Sequence, residues 1–204
     1  MRTTTGYRIS AATAAVAIVL TGSGASAAPA ARPEPVARVT GSAEIRLPYW
    51  PDSDVRAFTF DAVGTPYSRP VPGMPEGLPT DATGTVRISH RVVEAGVTIG
   101  MTARVDCLAT GPGVATLTAV VTEADDPVGD WVGKRLGFSV YDAGRHGTDR
   151  MGFSWSVVNG EQDESGEWVE AGVGTCMGPG PFAPVTRGDY TVRHQDLLPA
   201  PVGR

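Results

Sequence analysis

Ile99-Gly100-Met101-Thr102-Ala103-Arg104-Val105-Asp106-Cys107 is the stretch that decides how this chain is read. Ile99, Met101, Ala103, Val105 and Cys107 share one side of an extended backbone, and Gly100, Thr102, Arg104 and Asp106 share the other. Successive side chains of a strand point to opposite faces, so the alternation is that of a strand with one buried and one wet side. The same period recurs to either side. Phe58 and Phe60, Val86 and Ile88, Ala115 to Val121, Leu136 to Val140, and Phe153 to Val157 each alternate in this way. Weaker strands are expected at about 43–47, 167–174 and 189–194. Turn chemistry separates them, at Gly111-Pro112-Gly113, Asp125-Asp126-Pro127, Asn159-Gly160 and Gly178-Pro179-Gly180-Pro181. No window carries a helical stripe, and the Gly and Pro load would break most helices. The pattern predicts an all-β fold, a single β-sandwich (Ig-like or jelly-roll-like) of about 7–9 short strands over residues 42–195.

The N-terminus reads as a secretory signal peptide over residues 1–27. Arg2 and Arg8 are its basic region, Ile9 to Leu20 its apolar core, and Ala25-Ser26-Ala27 its cleavage site. The apolar run is too short and too rich in Ala and Thr to anchor the chain in a bilayer. A Pro/Ala-rich segment, 28–41, reads as a disordered lead-in, and residues 196–204 as a flexible tail. The protein is expected to be secreted, with no stable membrane anchor. Only Lys134 among 17 basic residues is a lysine, a skew typical of a GC-rich actinobacterial genome. Removal of Arg2 and Arg8 takes the formal net charge from -5 to about -7. An acidic domain with scattered arginines offers no stripe for a phosphate backbone, which argues against nucleic acid.

Cys107 and Cys176 are the only cysteines. In an exported chain an even count reads as a disulfide, and only one pairing exists here. Neither has a second Cys or a His close by, which argues against zinc. Cys107 continues the buried register of Val105, so the bridge is expected on the inward face, in the core. The proline-rich piece between residues 62 and 82 cannot pair as a central strand and reads as a long connection.

The most distinctive loop lies in Phe138-Ser139-Val140-Tyr141-Asp142-Ala143-Gly144-Arg145-His146-Gly147-Thr148-Asp149-Arg150. A strand closes on Asp-x-Gly, and an Asp-Arg pair opens the next. Together with Phe58-Thr59-Phe60 and Val105-Asp106-Cys107, this resembles small secreted actinobacterial β-domain proteins, some of them labelled "repetin", over about residues 42–177. The resemblance implies a fold and a location and carries no catalytic residues. Physically, Asp142 and Asp149 are candidate oxygen ligands for calcium, against the plainer role of capping turns.

Candidate chemistry elsewhere is sparse. The acidic run Glu161 to Glu167, alone or with Glu123, would suit a glycosidase-like acid and base, yet acids at a hairpin tip are more often solvated. His90, His146 and His194 have no nearby nucleophile motif, and His90 follows Ile88 in the buried register. Trp50, Tyr67 and Trp131 are candidate binding residues, since exposed aromatic rings stack on sugars or anchor a protein partner. Trp155 is assigned to the core. The expected function is a secreted, non-catalytic binding or structural module that meets an extracellular glycan or protein. The alternative is a carboxylate-dependent extracellular hydrolase.

Overall fold

A computed structural model describes residues 36–50 and 52–201, together with Met1 and Thr3. Apart from Met1 and Thr3, the expected signal peptide lies outside the described residues, as does most of the expected lead-in.

The strands are β1 (Arg38–Ile45), β2 (Val55–Gly64), β3 (Ala82–Val92), β4 (Val97–Gly111), β5 (Val114–Ala124), β6 (Arg135–Tyr141), β7 (Arg150–Phe153), β8 (Gly160–Gln162), β9 (Trp168–Glu170) and β10 (Ala183–Arg193). The fold is all-β as the alternation requires, but it is a barrel and not a sandwich. Strands β1 to β7 follow one another as antiparallel neighbours, and β10 closes the ring by pairing with both β7 and β1. Inward-facing apolar residues alternate with polar ones in both architectures, so the period alone cannot separate them. What decides is the long β1–β10 ladder, running from Arg38 opposite Arg193 to Ile45 opposite Val185. That ladder also starts β1 inside the stretch expected to be a disordered lead-in. The β8–β9 hairpin stands apart as a two-stranded sheet.

The interior is filled by Val39, Phe60, Val86, Val105, Leu117, Phe138, Val140 and Met151, all essentially without solvent contact. Outward positions on the same strands carry Arg38, Thr59, Asp61, Arg87 and Thr102, so the barrel is apolar within and polar without. Such curvature needs backbone freedom. Gly84 has φ +125°, and a Cβ there would lie 1.9 Å from the Asp61 carbonyl oxygen on β2.

The disulfide Cys107–Cys176 is formed, with the Cα atoms 5.3 Å apart. Its expected place in the core is corrected. Val105 opposes Ala119 and Cys107 opposes Thr118, so Asp106 is an extra residue in the ladder. This β-bulge shifts the period by one, and Cys107 comes out on the wall's outer face, while Leu108 turns inward. The bulged Asp106 is buried on that outer face, accepting from the Thr118 hydroxyl at 2.6 Å and from Arg135 Nε at 2.9 Å. Cys176 belongs to the segment that runs from β9 to β10, which lies flat against the wall. There Gly137 faces Met177, and the Ser139 hydroxyl donates to the Pro179 carbonyl.

Candidate functional site

The end of the barrel formed by the C-termini of β1, β3, β5 and β7 is open. A cavity of about 180 Å³ enters the interior here. Its walls are Phe58 from β2, Ile88 from β3, Met101 from β4, Leu136 and Phe138 from β6, and Phe153 from β7. The rings interlock, with Phe58 and Phe153 centroids 5.1 Å apart and Phe58 and Phe138 6.2 Å apart. Trp131, which ends a short 3-10 segment (Asp126–Trp131), and Trp155, just beyond β7, complete the rim.

Trp155 links this cavity to the outside. It stacks on Phe153 at 6.0 Å, and the half-exposed Trp50 meets it edge to face at 6.0 Å. Tyr49 lies 6.2 Å from the same ring. Burial raises the pKa of the Tyr49 hydroxyl, opposed by the Trp155 indole and by Arg56. The indole nitrogen of Trp155 is itself shielded from solvent and is turned towards the Tyr49 hydroxyl.

One side of the mouth is polar. Arg56 and His90 occupy the same inward register as Phe58 and Ile88, and they stand directly opposite each other across the β2–β3 ladder. The β1–β2 connection supplies their partners. Asp52 grips Arg56 through both carboxylate oxygens, at 3.1 and 2.5 Å. Asp54 bonds His90 Nε2 at 2.8 Å and accepts the Val93 backbone N–H at 3.0 Å. The Arg56 guanidinium holds the Asp52 carboxyl below the usual range, and the Val93 amide and His90 do the same for Asp54. Both acids are therefore ionised near neutral pH.

Of the expected binding residues, Trp50 and Trp131 come together at this mouth, whereas Tyr67 lies at the opposite end. Tyr67 donates its hydroxyl to the Leu198 carbonyl at 2.8 Å, engaging the segment expected to be a flexible tail. Trp155 forms a cavity wall and is only partly buried. Arg56, Asp52 and Asp54 were not singled out from the sequence. The period-two register of Phe58 and Phe60, extended back by one step, places Arg56 inside.

Asp142 and Asp149 are also far from the mouth, and their oxygens face backbone amides. Asp142 accepts from Gly144 and Val192, each at 2.9 Å. Asp149 accepts from Ala143 at 2.9 Å and from Tyr190 at 2.7 Å. Among the described residues no group of three His, Cys, Asp or Glu side chains is gathered as for a metal ion. The acidic run forms the β8–β9 tip, where Asp163 accepts from the Ser165 hydroxyl and from the Ser165 and Glu167 amides, which lowers its pKa. Glu123 lies on the outer wall, beside a wider cleft of about 400 Å³ lined in part by Ala57, Ser89 and Gly100.

Chemically, the mouth can enclose an apolar group beside a polar edge formed by Arg56 and the hydrogen-bonded His90–Asp54 pair. It presents no nucleophile. Ser89 is in the outward register, and the Ser154 hydroxyl oxygen accepts the Gly137 amide at 3.0 Å. Comparison with family models, with curated proteins and with solved structures finds no match for this chain.

Proposed function

We propose that this chain is an exported binding protein without catalytic activity, whose barrel mouth holds one small apolar molecule. The observation that carries the reading is the cavity of about 180 Å³ walled by Phe58, Ile88, Met101, Leu136, Phe138 and Phe153. A dry apolar cavity of about 150 Å³ is enough to take up benzene, so the space matches a single substituted ring. Export is supported by the A-x-A signal at residues 25–27 and by the Cys107–Cys176 bridge, which fits an oxidising compartment. The gathering of Trp50, Trp131 and Trp155 around an opening, in place of a flat aromatic platform, favours an enclosed small molecule over a glycan chain.

The hydrolase alternative finds less support. General acid catalysis requires a carboxyl kept protonated near neutral pH, and the two acids at the mouth, Asp52 and Asp54, are both shifted the other way. Titration of the mature protein with ethylbenzene, followed by calorimetry and by tryptophan fluorescence, tests the binding reading. Saturable one-to-one binding is expected. Absence of binding up to the solubility limit would refute it.

A further inference from the structure

Trp168 lies outside the barrel, on the β8–β9 hairpin that forms a two-stranded sheet of its own. Its ring is fixed by one edge. The indole Nε1 donates to the Ser156 carbonyl at 2.7 Å, and a Cβ on Gly160 would lie 2.3 Å from Cε2 of the ring. Glycine at 160 is what lets the indole settle so close. With that edge covered, Trp168 is still 62% exposed, more than Trp50 at 50%. A side chain held in place yet left open loses little freedom when a partner settles on it.

The surroundings set the sign of what can settle there. Between Arg150 and Arg187 the sequence has no Lys, Arg or His, and five acids fall between Glu161 and Glu170. Asp163 is engaged by its own turn, and Glu170 is partly buried, within the field of Lys134. Glu161, Glu164 and Glu167 are exposed, and no basic side chain among the described residues pairs with them. An indole face is electron-rich and attracts cations in its own right. Ring and carboxylates therefore both favour positive charge. Elsewhere the chain makes such a contact with itself, Lys134 Nζ standing 5.0 Å from the centre of the Trp131 ring. Trp168 has no cation of its own among the described residues.

Magnitude decides how many charges the partner carries. One exposed cation–π contact changes affinity only about two- to fivefold, and an exposed ion pair does about the same. A lone ammonium would hardly be retained, whereas several cations on one segment combine. A guanidinium also stacks on an aromatic plane, unlike a compact ammonium. The geometry points to the β8–β9 hairpin as a docking surface for an arginine-rich segment of a partner protein. One guanidinium lies on Trp168, and its neighbours meet Glu161, Glu164 and Glu167. This surface is separate from the mouth and stands whether or not the cup takes a ligand.

Fluorescently labelled hexa-arginine and hexa-lysine, titrated with the mature protein at pH 7 and an ionic strength of about 0.01 M, test this by anisotropy. Hexa-arginine is expected to bind one to one and about two- to fivefold more tightly than hexa-lysine. Trp168→Leu should weaken hexa-arginine by about that factor and bring the two peptides level. Glu161→Gln combined with Glu167→Gln should weaken both alike. Circular dichroism establishes that each variant is folded. The ratio between the two peptides in the unaltered protein needs no variant, so it decides the matter should Trp168→Leu loosen the hairpin. Equal affinities for the two peptides, or hexa-arginine binding unchanged by Trp168→Leu in a folded protein, would overturn the assignment.

Discussion

Phe60 and Tyr190 meet edge to face inside the barrel, their ring centroids 5.3 Å apart, although their strands are separated by β1. They meet because the residue in register with both is Gly41. Gly41 adopts φ +129°, and a Cβ there would lie 2.3 Å from the Asp189 carbonyl oxygen. Gly41→Ala therefore combines backbone strain with a steric clash and is expected to destabilise the fold by about 3 kcal/mol or more. Urea denaturation measures this. A loss under about 1 kcal/mol, close to that of an ordinary surface change, would show that β1 can move aside.

Closure on the other side of β10 rests on side chains. Strand β7 pairs with only Ala183 and Pro184 of β10. Beyond them the Tyr190 and Val192 amides reach Asp149 and Asp142, and the Val185 amide reaches the Asp149 carbonyl at 2.9 Å. Asp149→Ala and Asp142→Ala each leave amides without acceptors, at a cost of about 1–3 kcal/mol. With those carboxylates engaged, calcium after EDTA treatment should leave the melting temperature unchanged. A calcium-dependent rise of several degrees would return these two residues to the role of metal ligands.

The bridge between Cys107 and Cys176 lies outside the wall, with a sequence separation of 69. Replacing both by Ser should cost about 4 kcal/mol through the unfolded chain, in the chain-entropy model. Because the cystine does not fill the interior, ethylbenzene affinity should survive the change. Loss of binding in a variant that is still folded would mean that the outer segment shapes the mouth.

Met101 stands in the cavity wall at the mouth. Met101→Trp would occupy much of the space of about 180 Å³ and is expected to abolish ethylbenzene binding, while costing stability no more than about 1–3 kcal/mol. Retained affinity would place the ligand elsewhere, for instance in the outer cleft beside Glu123.

The Asp52–Arg56 pair gives a pH dependence with a definite sign. Arg56 depresses the Asp52 pKa below its ordinary 3.8, so the pair's contribution is fully present above that value and is lost as the pH falls below it. The stability difference between the native protein and Asp52→Asn should be constant from pH 7 to about 5 and should shrink only below about 4. A difference that already changes between pH 6 and 7 would show that Arg56 does not hold Asp52 in its ionised form.

Much of this architecture was legible from period-two alternation, because a buried face leaves its mark residue by residue. Closure was not, since β1 and β10 are distant in sequence and a sandwich has the same alternation. The disulfide partners were legible from count alone, but the side of the wall was hidden by one extra residue, Asp106. At the mouth, the inward register of Arg56 and His90 follows from Phe58 and Ile88. Their pairing with Asp52 and Asp54 depends on how the β1–β2 connection folds back, which no spacing reveals. Trp50 and Trp131 were found as aromatic residues beside turns, and only the barrel brings them to one opening.

The two carboxylates beside β10 have a consequence for the protein at high concentration. A strand edge left with free N–H and C=O groups invites another molecule to add its own strand. Along this seam the amides of Val185, Tyr190 and Val192 are already taken, two of them by carboxylates that offer no donor in return. The barrel is thereby protected against edge-to-edge assembly along this thinly paired seam.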